Sequence, residues 1–378
     1  MSQNLPLKQH CEQLISLFIK ERLHQGSYFS SEKEIAYHKP NFVPIQVNLK
    51  FINWYIHQYL LGKDTNKDKD VIIKIRDQLL QGLKEMNMPI INDTNQEYNV
   101  KRFVVLSDIH SKGEALFPKI PNGDVILCCG DFSNRGSLDE ISQFNDFLGR
   151  LKISGNCKTI ICISGNHDYG MDAKYNKNLD PEKIFNTRQN PLLPNCDYYL
   201  QNNSIILDSS IKIYGSPITS QGMAFHSSNS YSYWKEIDSD SDIVLSHTPP
   251  FNILDLAWVK NNENPKQVCK VCGNIHDYYE HWGDYWLKNQ LIHRVKPNIS
   301  VFGHVHDDQN FVRKSIKELK AEEEYQQKLF NIEQPFDSKT STSDDHIITF
   351  LNGALDLTHK VYFFDYFYIP NSRSLYQK

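Results

Sequence analysis

Long apolar runs are missing from this sequence: none approaches the roughly 18 residues that a membrane-spanning helix needs. Met1 to His10 contain no apolar stretch of the kind that drives secretion, so no leader is expected there. Positive charge is not in excess either. With 41 Lys and Arg against 45 Asp and Glu, the formal net charge is -4, which offers no basic stripe to a nucleic-acid polymer. Cysteine is sparse: eight in 378 residues do not make a disulfide framework. Cys128, Cys129 and Cys162 lie inside apolar runs, where cysteine behaves as a small hydrophobe. These absences together lead us to expect a cytoplasmic protein with reduced thiols and no membrane contact.

What is present divides into two regions. Residues 1–98 read as a helical extension. Leu14, Ile15, Phe18 and Ile19 recur at helical spacing, as do Phe51, Trp54, Tyr55, Tyr59 and Leu60. A further helix from Val71 to Met86 presents Ile72, Ile75, Leu79 and Leu83 on one face. No cluster of catalytic residue types falls here, so packing, or docking of a protein partner, is the expected role. Residues 99–378 change pattern to short Val/Ile/Leu runs of the kind that form strands buried on both faces. Phe103–Leu106, Val125–Cys129, Thr159–Ile163, Ile211–Tyr214, Ile243–Leu245 and Ile299–Phe302 are the strand candidates. Leu138–Leu148 is a helix between two of them, giving an α/β pattern. A Lys- and Glu-rich stretch, Arg313 to Phe330, reads as helical and leads into a polar loop at Asp337–Asp345. Residues 313–346 thus form an insertion before closing strands at Ile347–Leu351 and Val361–Tyr368.

Five of the apolar runs stop immediately before metal-type ligands. They lead into Asp108-Ile-His110, Gly130-Asp131, Gly165-Asn166-His167-Asp168, His247 and Gly303-His304-Val-His306. In open α/β sheets, sites form beyond the carboxyl ends of strands because the loops converge there. Asp, Asn and His supply oxygen and nitrogen donors suited to Mn, Fe or Zn, and no cysteine joins them. Alternation along an extended segment would send both members of Asp108-x-His110, and both of His304-x-His306, to one side. Glycines 130, 165 and 303 leave room for the backbone to turn beside the ligands.

In this order and spacing the motifs resemble the signature of the calcineurin-like metallophosphoesterases, over roughly residues 102–368. The likeness is nearest to the metallophosphoesterase-domain-containing subfamily, related to class III cyclic nucleotide phosphodiesterases. Ile213-Tyr-Gly-Ser-Pro217, His247-Thr-Pro-Pro250 and Lys296-Pro-Asn-Ile-Ser-Val-Phe-Gly-His304 support it. The resemblance implies a four-layer αββα sandwich and two divalent cations, with Mn favoured. It assigns Asp108, His110, Asp131 and His306 to one cation. Asp131 as bridge, Asn166, His247 and His304 go to the other. It further implies hydrolysis of a phosphate ester by a hydroxide held between the cations, with His167 as proton donor to the leaving oxygen. Asp168 would orient the His167 imidazole.

The expected substrate is a small phosphodiester, cyclic nucleotides included. Gly130-Asp-Phe-Ser-Asn-Arg-Gly136 also resembles a motif of protein Ser/Thr phosphatases whose arginine grips phosphate, with Asn134 in place of that motif's aspartate. Arg135 is therefore a candidate phosphate ligand, and a phosphomonoesterase or protein phosphatase is the alternative. A weakly catalytic scaffold is a third reading, disfavoured by the complete ligand set. Cys269-x-x-Cys272-x-x-x-His276-x-x-x-x-His281 is too compact for a zinc finger, whose ligand pairs stand about a dozen residues apart. An ordinary helix start with buried thiols is expected instead. Trp258, Tyr278, Tyr279, Trp282, Tyr285 and Trp286 around it are expected to be mostly core, with one or two free to stack on a substrate.

Overall fold

The computed structural model describes residues 9, 11–14, 16, 42–56, 69–91, 98–179, 188, 190–260, 268–269, 272–330, 346–356 and 360–373. The chain forms two compact units. One comprises Met1–Arg102 with Phe363–Pro370, the other Phe103–Tyr362 with Asn371–Lys378.

In the first unit, β1 (Val47–Asn48) runs straight into α1 (Leu49–Tyr55), which Asn48 caps by accepting from the Lys50 N–H at 2.7 Å. Helix α2 (Lys69–Glu85) follows, two residues longer at its start than the expected Val71. Strand β2 (Ile90–Ile91) then pairs in parallel with β1. Leu79 and Leu83 of α2 meet Leu14, Val47, Ile52 and Ile56 in a small core, with Ile75 packed at its edge. Ile15, Phe18, Ile19, Tyr59 and Leu60, and the side chains of Phe51, Trp54, Tyr55 and Ile72, lie outside the described residues.

The Val/Ile runs of the second unit all form strands. β3 (Asn99–Leu106), β4 (Val125–Cys129), β5 (Thr159–Ile163) and β6 (Tyr198–Tyr199) make successive parallel pairs. Helix α3 (Leu138–Ile153) crosses from β4 to β5. Its start is fixed by a reciprocal capping box between Ser137 and Glu140, and its buried face presents Ile141, Phe144, Phe147, Leu148 and Leu151.

The second sheet takes in β7 (Asn203–Leu207), β8 (Ile211–Ser216), β9 (Ile243–Ser246), β12 (Ile299–Phe302), β13 (Phe311–Ser315) and β14 (Ile347–Asn352). Their order is β13-β14-β12-β9-β8-β7. β8, β9, β12 and β14 run parallel, while β7 and β13 close the edges antiparallel. A short antiparallel pair, β10 (Leu256–Trp258) and β11 (Tyr279–His281), stands apart from both sheets. The sheets pack face to face: a Cβ on Gly215 of β8 would come within 2.8 Å of Ile163 on β5. Helices α4 (Tyr285–Gln290) and α5 (Ile316–Phe330) join the core on the far side of the second sheet through Leu287, Ile316 and Leu319. The expected helix–sheet–sheet–helix sandwich is therefore present.

One boundary differs. The charged stretch read as helical from Arg313 onward begins instead as strand β13, and α5 starts at Ile316. Ser315 sets that point, because its Oγ accepts from the Glu318 N–H while Glu318 accepts from the Ser315 N–H. The Asp337–Asp345 loop lies outside the described residues. Strand β15 (Tyr362–Tyr368) supplies Asp365, which pairs with Arg102 inside the first unit. Among the described residues no helix is long and apolar enough to cross a membrane.

Candidate metal centre

Strands β3, β4, β5, β9 and β12 bring all seven predicted ligands together. His306 Nε2 lies 3.1 Å from Asp108 Oδ1 and 3.3 Å from His110 Nε2. His110 Nε2 is 3.9 Å from Asp131 Oδ2, and His247 Nε2 is 3.4 Å from that same oxygen. Asn166 Oδ1 stands 2.8 Å from His247 Nε2 and 2.9 Å from His304 Nδ1. Asp131 is thus placed between two groups: Asp108, His110 and His306 on one side, Asn166, His247 and His304 on the other.

The backbone reaches this arrangement by a different route from simple alternation. Asp108, His110, Ser111, Asp131 and His304 adopt left-handed φ values of 53°, 46°, 59°, 51° and 69°. Non-glycine residues rarely adopt that region, and such strain collects at functional sites. The two Asp-x-His and His-x-His pairs converge through these tight turns, so the extended geometry expected for them is not what forms. The glycines are needed for space. A Cβ on Gly165 would sit 2.2 Å from Asp131 Oδ1, and one on Gly303 would sit 2.2 Å from Asp108 Oδ2.

The donor set fits a cation. His247 Nδ1 faces the Cys129 carbonyl oxygen at 2.9 Å. A carbonyl only accepts, so Nδ1 carries a proton, and the neutral form of His247 would turn a lone pair on Nε2 toward Asn166 Oδ1 and Asp131 Oδ2. Three electron-rich atoms facing one another in a buried site need positive charge among them. His304 Nε2 is likewise buried with no partner among the described residues. The charge balance of the site answers the same demand. Burial opposes the His247 cation, yet the Asp131 carboxylate outweighs burial and holds the imidazole up at about 9. Burial, with the His247 charge adding to it, pushes His304 down to about 3. The Asp108 carboxyl stays well below its usual range despite burial, because His306 donates to it and the nearby histidine charges favour the anion.

The remaining candidates divide. His167 sits beside the cluster: its backbone N–H donates to Asp131 Oδ1 at 2.8 Å, and its ring meets His110 edge-on with centroids 4.9 Å apart. Asp168 does not orient that ring. Its buried carboxylate accepts from the backbone N–H groups of Asp131, Ser133 and Gly165 at 2.9, 3.0 and 2.8 Å, and from Ser133 Oγ at 2.6 Å. It ties the two ligand loops together from behind, since a buried carboxylate gathers the nearest unsatisfied donors. Burial and the Asp131 charge raise its carboxyl to about 7. Arg135 is exposed, and the polar contact fixing it is its backbone N–H to Glu140 Oε2 at 3.2 Å.

Two residues of the site were not legible beforehand. Asn134, which departs from the phosphatase motif, accepts from His167 Nδ1 through its carbonyl at 2.8 Å. Asp356 takes the second nitrogen of His306, with Nδ1 to Oδ2 at 3.3 Å, and is itself paired with Lys112. Asp356 lies just past the carboxyl end of β14, and that position was the available signal.

The Cys269–His281 stretch is not a helix start. Helix α4 begins only at Tyr285, with Asp284 as its N-cap, and both thiols are partly exposed. Trp258, Tyr278 and Tyr279 are exposed as well, against the expectation of core. Trp282 approaches the cluster, its ring centroid 5.8 Å from that of His304.

Residues 101–308 match the Calcineurin-like phosphoesterase family, more than half of the chain. A UPF0046 protein of Caenorhabditis elegans is 32% identical over 272 residues, covering 65% of this chain and 86% of that protein. The human Metallophosphoesterase domain-containing protein 1 is 30% identical over 242 residues, covering 59% of this chain and 66% of the relative; the mouse protein of the same name gives the same values. This chain belongs to the calcineurin-like phosphoesterase family. A metal-dependent phosphoester hydrolase is the class of protein that the fold and the Asp/His cluster define.

Proposed function

We propose that the protein hydrolyses small phosphodiesters, cyclic nucleotides being one class to test, with two divalent cations of which Mn is favoured. The observation that carries this reading is the convergence of the His247, Asn166 and Asp131 donor atoms on one buried point beside a second Asp/His group. Asp108, His110 and His306 with Asp131 would hold one cation. Asp131, Asn166, His247 and His304 would hold the other. When bound, such a pair polarises a phosphoryl group and makes hydroxide available at neutral pH.

The chain's own groups then have defined tasks. Cys129 and Asp356 fix the rings of His247 and His306 through their second nitrogens, which sets the direction of the coordinating lone pairs. His167, with Nδ1 held by Asn134, would deliver a proton from Nε2 to the departing oxygen when the ring carries a proton on both nitrogens. Asp168 positions the loops of Asp131 and Asn166 and takes no part in the bond change.

Diesters are favoured over monoesters on the motif likeness to the class III cyclic nucleotide phosphodiesterases. A dianionic monoester would call on an added cationic grip, for which the exposed Arg135 is the candidate. Purified protein with Mn should turn over bis-p-nitrophenyl phosphate faster than p-nitrophenyl phosphate. The reverse order would make it a monoesterase, and no turnover of either by metal-loaded protein would overturn the hydrolase reading.

A further inference from the structure

Between β10 and α4 lies a second cluster of metal-type ligands that the proposed chemistry does not use. One ligand atom from each of Cys269, Cys272, His276 and His281 falls within 4.8 Å of the others. Zinc bonds of about 2.0 Å to nitrogen and 2.3 Å to sulfur place tetrahedral ligands roughly 3.3–3.8 Å apart, so a small contraction closes this set around an ion. We propose that these residues bind one structural Zn²⁺, separate from the Asp/His centre.

The backbone is shaped for it. Val268 and Ile275 form an antiparallel bridge, and the Cys269 N–H donates to the Asn274 carbonyl at 2.6 Å. The turn is closed by the Gly273 N–H to the Cys269 carbonyl at 2.9 Å, with Gly273 at φ +77°. This knuckle brings the thiols of Cys269 and Cys272 together, and the Asn274 N–H points at Cys272 Sγ from 3.4 Å, a contact that favours the thiolate. His276 Nε2 lies 2.7 Å from the same sulfur.

His281 supplies an independent indication. Its Nδ1 donates to Asp255 Oδ1 at 2.7 Å, and Asp255 Oδ2 is itself held by the N–H groups of Asn252 and Gly283 at 2.8 and 3.1 Å. That carboxylate fixes the tautomer and leaves Nε2 as a lone pair. Among the described residues Nε2 is buried with no hydrogen-bond partner, and the side chain is 6% exposed. A carboxylate behind a histidine that stands in a cluster with two thiols is the usual support of a zinc ligand.

Energetics point the same way. Val268, Ile275 and Tyr278 are 59%, 57% and 48% exposed, so apolar burial does little to hold this loop. Small loop-rich segments without a core are commonly held by a metal, which then supplies folding free energy directly. The consequence reaches the Asp/His centre. The Trp258 N–H of β10 donates to Asp307 at 2.9 Å, beside His306, and Trp282 follows His281 directly onto the His304 ring. A zinc ion here would brace the strand pair that backs His304 and His306.

Cobalt distinguishes the two centres, because of the two ligand sets this cluster alone includes thiols. The full chain, purified under thiol reductant and loaded with Co²⁺, should show a sulfur-to-cobalt charge-transfer band and tetrahedral visible absorption. One equivalent of Zn²⁺ should displace both. The band should be lost in Cys272→Ser and kept in Asp131→Asn. Zinc-edge X-ray absorption of the wild-type chain gives a reading that does not depend on any variant folding: sulfur scatterers at about 2.3 Å are expected. Absence of sulfur ligation in the wild-type chain by both methods, or a Cys269–Cys272 disulfide persisting under reductant and zinc, would overturn the proposal. Neither result bears on whether the Asp/His centre hydrolyses phosphoesters.

Discussion

The imidazole of His167 directs Nδ1 at the backbone carbonyl oxygen of Asn134, 2.8 Å away. Because a carbonyl only accepts, Nδ1 carries the proton and Nε2 is the nitrogen free to exchange one. The edge-on His110 ring keeps the imidazole beside the ligand cluster. His167→Ala is expected to lower kcat for a phosphodiester about 10²–10⁴-fold, with Mn binding by calorimetry unchanged. An unaltered kcat would remove His167 as the proton donor.

Gly303→Ala tests how tightly the ligand loops are packed. The added methyl would meet Ser107 Oγ at 1.9 Å and Asp108 Oδ2 at 2.2 Å, so Asp108 must move. Displacing a group that sets ligand geometry costs about 10–100-fold in metal affinity. Calorimetric Mn titration should show a loss of that order while far-UV circular dichroism stays that of the parent. Wild-type affinity in this variant would mean that the Asp108 position is not needed for binding.

Arg102 and Asp365 form a two-pronged pair at 2.8 and 3.0 Å with both side chains 0% exposed. The guanidinium also lies over the Phe363 ring, 4.8 Å from its centroid. Removing one partner strands a buried charge, so Asp365→Ala should cost about 3–5 kcal/mol in urea denaturation. A loss under about 1 kcal/mol, the range of an exposed pair, would contradict the burial.

Lys288 gives a pH dependence. The residue is 1% exposed, and among the described residues Nζ has no hydrogen-bond partner. Burial lowers its pKa from 10.5, with Glu323 and Glu322 opposing the shift in part. The folded protein therefore holds this proton less tightly than the unfolded chain, and stability rises with pH between the lowered value and 10.5. Below the lowered value the whole cost is present. Lys288→Met should be more stable than wild type at neutral pH by roughly 1–3 kcal/mol, the cost of an unsatisfied buried donor, and the gap should narrow toward about pH 10. A gap of opposite sign, or one independent of pH, would refute this account.

The parallel strands and the seven Asp, Asn and His residues at their ends are readable because both are local: an apolar run, then a ligand, in one stretch of chain. Relations that depend on how a loop turns are not. Asp168 is expected behind the His167 ring, but the chain between them turns so that the carboxylate meets backbone N–H groups instead. Asp356 is 50 residues from His306 in sequence and reaches it only through the pairing of β12 with β14. The compact Cys269–His281 spacing lacks the spacer of a zinc finger. The knuckle at Gly273 and the β10–β11 pair bring those ligands together without one.

The left-handed residues at the Asp/His centre bear on any attempt to engineer this chain. Each of the five non-glycine positions, Asp108, His110, Ser111, Asp131 and His304, carries backbone strain of roughly 1–3 kcal/mol, and glycine would relieve it wherever it replaced the native residue. A library selected for heat resistance alone would thus be drawn toward glycine at the ligand positions, gaining melting temperature as it discarded the side chains that gather the metal donors. Screens on this scaffold need a selection for bound metal at every round.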